Sequence, residues 1–349
     1  MRAMAESSNG SVALAGPGGD SSAGPARVLR PRGRFFAVGI GPVARKEFAD
    51  HLSGLRFGIL LVLIAVTTLA AVYAASSAIR EAASDSSTVE FAFLNLFTVS
   101  GQSLPSFTSF ITFLAPLLGI ALGFDALNSE RSQGTLSRLI SQPIHRDAVL
   151  QGKFVAGLGV VGLALTALVV IVGGIGIVLL GTTPSLEEVG RLVAFIVVTV
   201  IYVAFWLALA QLFSVLFKQA ATSALASIAV WLFFAIFATL IVGLVVGAVA
   251  PAGDDATNAE LLRNAQLETS LNRVSPGTLY DEATSALLNP SVRSLGVLVY
   301  EQVDRAVVGA LSFGQSLLLC WPQIVSLVGC VLLFFTVSYI LFMREEIRA

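Results

Sequence analysis

The side chains of this protein best suited to chemistry gather in one stretch. Residues 124–153 read FDALNSERSQGTLSRLISQPIHRDAVLQGK, with a long apolar run just before and another just after. Such a charge-rich segment can be a plain loop, a catalytic site, or a surface on which another protein pushes. Catalysis fits poorly. The sequence holds no HExxH zinc motif, no GxSxG nucleophile turn and no G-x-x-x-x-G-K-[ST] phosphate loop. The chain therefore lacks the usual means of binding and hydrolysing ATP, and no cofactor is expected in it. Its two histidines (His51 and His145), two cysteines and three methionines (Met1, Met4 and Met343) are a meagre supply of transition-metal ligands. On one helix Cys320 and Cys330 would stand about 15 Å apart at ~1.5 Å per residue, beyond the disulfide reach of about 7 Å. A net charge of −1 provides no basic field for nucleic acid.

The elements that must hold this stretch are membrane helices. Only 12% of the 349 residues are charged and 56% are hydrophobic, whereas soluble domains carry roughly 25% charge. Six stretches reach the ~20 apolar residues that cross a bilayer. They are 57–79, 107–127, 154–180, 192–217, 222–249 and 321–343. Shorter apolar runs near 294–300 and 306–319 read as interfacial or external helices. Residues 1–33, rich in Gly, Ser, Ala and Pro, read as a disordered cytoplasmic tail rather than a signal peptide. Residues 43–56 place Phe48, Leu52 and Leu55 at helical spacing, which suits an N-terminal helix lying in the membrane interface. Fifteen of the twenty-one Lys and Arg residues fall on the side of the two termini, so both termini are expected in the cytoplasm together with residues 128–147. The long connection 251–320 carries eight acids against four bases and is expected to form an external helical subdomain.

The central parts of the six spans contain no charged residue, and Asp125 stands at the cytoplasmic edge of the second. This weighs against a proton- or sodium-coupled carrier. Small residues are plentiful. Gly119 with Gly123, and Gly243 with Gly247, have the GxxxG spacing of close helix packing, within the chain or between copies. Pro116 is expected to kink the second span, and Gly173, Gly174 and Gly176 to loosen the third.

Within the charged stretch, Leu136, Leu139 and Ile140 lay an apolar stripe along a short helix from Gly134 to Gln142, stopped by Pro143. A new helix begins near Arg146 or Asp147 and runs into the third span. An exposed stripe at the cytoplasmic mouth must face the membrane surface or a partner.

At this point the sequence resembles a known family. The pattern Gly123, Phe124, Asp125, Asn128, Glu130, Arg131, Gly134, Thr135, Leu136, Leu139, Pro143, Arg146, Gly152 and Lys153 is similar to the cytoplasmic signature of ABC-2 type transporter permeases. It looks closest to the subgroup that includes the permease of nitrous-oxide-reductase maturation. The resemblance implies an all-α membrane protein, with residues 34–349 as an ABC-2 type transmembrane domain. It would have six transmembrane helices, an N-terminal interfacial helix and a cytoplasmic coupling helix between spans 2 and 3. It also implies a cytosolic ABC ATPase subunit that binds the ATP, a second permease copy or paralogue, export as the direction, and the cell membrane of a prokaryote as the location. Carried over by position, Glu130, Arg131, Gly134, Thr135, Leu136, Leu139, Pro143 and Arg146 would contact the ATPase. Copper delivery finds no ladder of soft ligands here, and uncharged spans suit an amphipathic or hydrophobic substrate better. A non-transporting membrane anchor or sensor, and a secondary carrier, are the competing readings.

Overall fold

A computed structural model describes residues 37–85, 91–101, 104–132, 146–251, 257–295 and 310–344. The protein is all-α, with no strand among the described residues. Its helices are α1 (Ala37–Ser53), α2 (Leu55–Asp85), α3 (Ala92–Thr98), α4 (Phe107–Gly123), α5 (Asn128–Ser132), α6 (Arg146–Leu180), α7 (Leu186–Leu216), α8 (Ala220–Leu232), α9 (Ala238–Val249), α10 (Asn258–Asn272), α11 (Pro276–Leu288) and α12 (Phe313–Arg344). A π-helical turn, Phe233–Phe237, joins α8 to α9. Six segments are long and apolar enough to cross a membrane: Leu55–Glu81, Phe107–Glu130, Asp147–Leu180, Leu186–Leu216, Ala220–Val249 and Phe313–Arg344. This is a multi-pass membrane protein. The end of the bundle that carries α1 and α5 is called the near end below, and the opposite one the far end.

The helix expected over 43–56 is longer and ends sooner, at Ser53. Gly54 breaks it, its N–H closing on the His51 carbonyl at 3.1 Å. Leu55 therefore belongs to the first span rather than to the interfacial helix, and it is exposed. Phe48 does point from α1 to protein: a Cβ at Gly159 of α6 would lie 3.3 Å from its ring. Leu52 is exposed. The disordered tail expected over 1–33 lies outside the described residues.

The central helix is α7. It starts with a capping box in which Ser185 and Glu188 satisfy each other's backbone N–H groups. Phe195, Tyr202, Trp206 and Leu207 are buried along it. Gly119 and Gly123 of α4 lie directly on it. A Cβ at Gly119 would stand 2.7 Å from the Val203 carbonyl oxygen, and one at Gly123 2.8 Å from that of Leu207. Pro116 sits inside α4 without ending it. Gly243 and Gly247 differ: nothing lies within 4 Å of a Cβ at either, so this GxxxG face packs on nothing among the described residues.

At 35 residues, α6 is about 50 Å long, well beyond the ~30 Å hydrocarbon core. It ends where Gly181 adopts φ +71, a left-handed cap that glycine accepts without strain. Gly173 and Gly176 do not break it. In lipid the backbone has no water to bond, so the helix persists, and the gap at Gly176 seats Leu96 of α3 instead.

The connection from 251 to 320 splits between two environments. Helix α10, opened by a Thr257–Glu260 capping box, has no buried residue. Helix α11, begun by Ser275 and Pro276, buries Tyr280, Ala283, Leu287 and Leu288 between α7 and α12. Residues 313–319, read as part of a separate short helix, are the first turns of α12, which continues through Pro322. A membrane helix tolerates such a proline because its neighbours re-satisfy the freed backbone groups. Residues 306–309 of that run, and most of 294–300, lie outside the described residues.

Candidate functional site

The near end is built around one lysine. Lys153, on the second turn of α6, is 6% exposed, and its Nζ lies 2.8 Å from Glu47 Oε1 on α1 and 3.1 Å from Glu130 Oε1 on α5. Both carboxylates are buried as well. Buried charges need compensation, so this triad ties α1, α5 and α6 together. Around it, Arg56 pairs with Asp125 at 2.6 Å and stacks over the Phe124 ring at 5.2 Å. Burial holds the His51 imidazole below its ordinary pKa, against the pull of the Glu47 carboxylate. The turn after α4 is fixed on α7, where Ser214 Oγ accepts from the backbone N–H of Leu127 at 3.0 Å and of Asn128 at 3.4 Å.

Glu130, read from sequence as a partner contact, thus turns inward. Arg131 and Arg146 lie on α5 and α6, and their side chains are outside the described set, as are Gly134, Thr135, Leu136, Leu139 and Pro143 entirely. The triad flanks that segment: Glu130 stands just before it and Lys153 about two α6 turns beyond it.

The far end has a clamp and a cavity. Arg191, on α7, is fully buried. It donates to the Leu287 carbonyl at 2.9 Å, to Ser316 Oγ at 3.0 Å and to the Leu311 carbonyl at 2.6 Å, and pairs with Glu187 at 2.9 Å. One guanidinium therefore fastens the C-terminal turn of α11 and the start of α12 to α7. Beside it lies a cavity of about 630 Å³ between the N-terminal half of α4, α7, the π turn and α11. Hydroxyls from Ser106, Thr108, Ser109, Thr112, Thr278 and Ser285 line it, with the rings of Phe113, Tyr202, Trp206, Trp231 and Phe234. Asp281 supplies its charge. Asp281 is an exposed residue whose carboxylate opens on the cavity, and partial desolvation by the protein around it pushes its pKa up to about 6. The Thr112 hydroxyl, 2.6 Å from Oδ1, pulls the other way. Among the described residues no group of three or more His, Cys, Asp or Glu side chains could hold a metal ion.

Comparison with known proteins decides the family. The pattern described as ABC-2 family transporter protein matches residues 42–347. The chain belongs to the ABC-2 transporter family. Two relatives are each named probable ABC transporter permease protein NosY. That of Pseudomonas aeruginosa is 28% identical over 195 residues, spanning 55% of this chain and 65% of its own. That of Stutzerimonas stutzeri is 31% identical over 226 residues, 63% of this chain and 74% of its own. The chain thus spans just under two thirds of the first relative's length. Within this ABC-2 chain, sequence reasoning passed over Glu47, Arg191 and Asp281 as site residues. Arg191 carried a faint signal, standing four residues after Glu187 on one helix.

Proposed function

We propose that this ABC-2 chain is the permease subunit of an ATP-driven exporter in the cell membrane, paired with a second copy or a paralogue and driven by a separate cytosolic ATPase docked on residues 130–146. The near end is then the cytoplasmic end, and both termini are cytoplasmic. The observation that carries the reading is Lys153 bridging Glu47 and Glu130. A push on the segment between α5 and α6 would pass into α1 and α6 together, because a buried ion triad resists shear. The apolar residues Leu136 and Leu139 provide the docking surface, and the missing phosphate loop is supplied by the other chain. The basic near end suits the cytoplasmic leaflet.

The test is to co-express the chain with a phosphate-loop ATPase encoded beside it, purify the pair in detergent and measure ATP hydrolysis. The expected result is a stable complex whose hydrolysis is stimulated by the permease. L136D with L139D should abolish co-purification while leaving the melting midpoint of the chain unchanged. Failure of any ATPase to bind, or full stimulation in the double variant, would sink the coupling assignment. ATP-independent transport in vesicles would favour a secondary carrier.

A further inference from the structure

We propose that the far-end cavity is a binding site for an organic monocation, an ammonium-bearing molecule with an apolar body. The argument starts from Asp281. No basic side chain lies within ion-pair distance of it among the described residues, whereas its neighbour Glu282 is bound by Arg273 at 2.9 Å and by Gln323 at 2.8 Å. One carboxylate has been compensated by the fold and the adjacent one left open to a cavity. A carboxylate without a cationic partner on the wall of a small-molecule-sized cavity is a natural anchor for a cationic ligand. The walls choose the ligand. Trp206 and Trp231 line the same cavity as the carboxylate, and aromatic rings attract cations. The volume of about 630 Å³ falls within the ~300–1,000 Å³ of small-molecule pockets. A bare metal ion is disfavoured, because a single carboxylate ringed by hydroxyls and aromatics gives a hard cation too few charged oxygens. An anion would meet Asp281 head-on.

As a substrate site, the cavity rests on the transport reading above. Binding does not, so the two can fail separately: the test uses the full chain alone in lipid nanodiscs, without ATPase. Two of the three tryptophans, Trp206 and Trp231, line the cavity, and the exposed Trp321 is removed as W321F. Benzyltriethylammonium is titrated against intrinsic fluorescence at neutral pH. A saturable change is expected, weakened at least tenfold by D281N. Benzenesulfonate and benzyl alcohol should give no saturable change. If D281N lowers the melting midpoint, W231L with Asp281 intact provides the second reading and should weaken binding severalfold. Equal binding of the cation by D281N and the parent, equal binding of the neutral or anionic analogue, or displacement of the probe by sodium at equal concentration would each overturn the proposal.

Discussion

Replacing Lys153 by methionine should be far more damaging than its conservative volume suggests. The substitution keeps the packed stem of the side chain but removes the one cation between Glu47 and Glu130, at 2.8 and 3.1 Å. Lys153 and both carboxylates are less than a tenth exposed, so water cannot replace the lost charge. Breaking a buried pair by deleting one partner costs about 3–5 kcal/mol, chiefly because the remaining charge stays uncompensated. In a chain of 349 residues that lowers the melting midpoint by about 4–7 °C. Removing every charge should be much milder. The triple variant K153M/E47Q/E130Q leaves no stranded ion, and replacing a whole buried ionic group is often nearly neutral. The assay is thermal melting of detergent-purified protein, followed by tryptophan fluorescence, for the parent, the single variant and the triple variant. If the triad also transmits force, the triple variant should bind the ATPase normally yet show little stimulation. A K153M midpoint within about 1 °C of the parent, or a triple variant as unstable as the single one, would refute the reasoning that compensation, rather than packing, holds this junction.

Three further outcomes follow from the geometry. G119A should cost about 1–3 kcal/mol, because the new methyl meets the Val203 carbonyl at 2.7 Å and overpacking displaces backbone; G243A, with open space around it, should melt at or slightly above the parent midpoint, so paired melts separate the two GxxxG faces. R191K should fail to restore the clamp, because one ammonium cannot serve the Leu287 and Leu311 carbonyls and Ser316 together; about 1–3 kcal/mol per carbonyl left unsatisfied should appear as faster proteolysis between 289 and 312. Asp281 has a folded pKa raised to about 6, so its contribution to stability is full below its ordinary pKa of about 4 and is lost as pH rises through about 6. D281N should remove that falling slope from a series of melts between pH 4.5 and 7, and an unchanged slope would show that Asp281 is not its source.

Whatever obeys local periodicity was legible from sequence. The six spans emerged from apolar run length alone, because a bilayer forces a hydrophobic stretch to become a helix before tertiary packing has any say. The errors lie where one glycine or proline has two possible effects. Gly54 ended a helix that periodicity carried through to Arg56. Gly173 and Gly176 read as loosening points because their weak helix propensity in water is irrelevant in lipid; they are seats for Phe93 and Leu96. Pro322 neither began nor ended α12. The two GxxxG pairs look alike as text, yet only Gly119 and Gly123 meet α7.

The site residues were hidden for a different reason. Glu47 reaches Lys153 across 106 residues, and Thr112 reaches Asp281 across 169, so no spacing rule connects them. Their charges also looked ordinary. Lys153 and Glu130 belonged to a recognisable signature, which drew attention to what they might touch outside the chain rather than to each other. Asp281 stood in a connection with a surplus of acids, where a solvated carboxylate is the natural expectation. Only the insertion of α11 beside α4 and α7 turns it toward a cavity. The two ends share α4: Thr112 near its start bonds Asp281, and the chain leaving its end carries Asp125 and Glu130 into the near-end network. Gly119 and Gly123 seat α4 directly against the backbone of α7, beside the Cβ atoms of Trp206 and Ala210. If residues 130–146 dock a motor as proposed, a displacement imposed at Glu130 would reach the wall of the cavity through the α4–α7 pair.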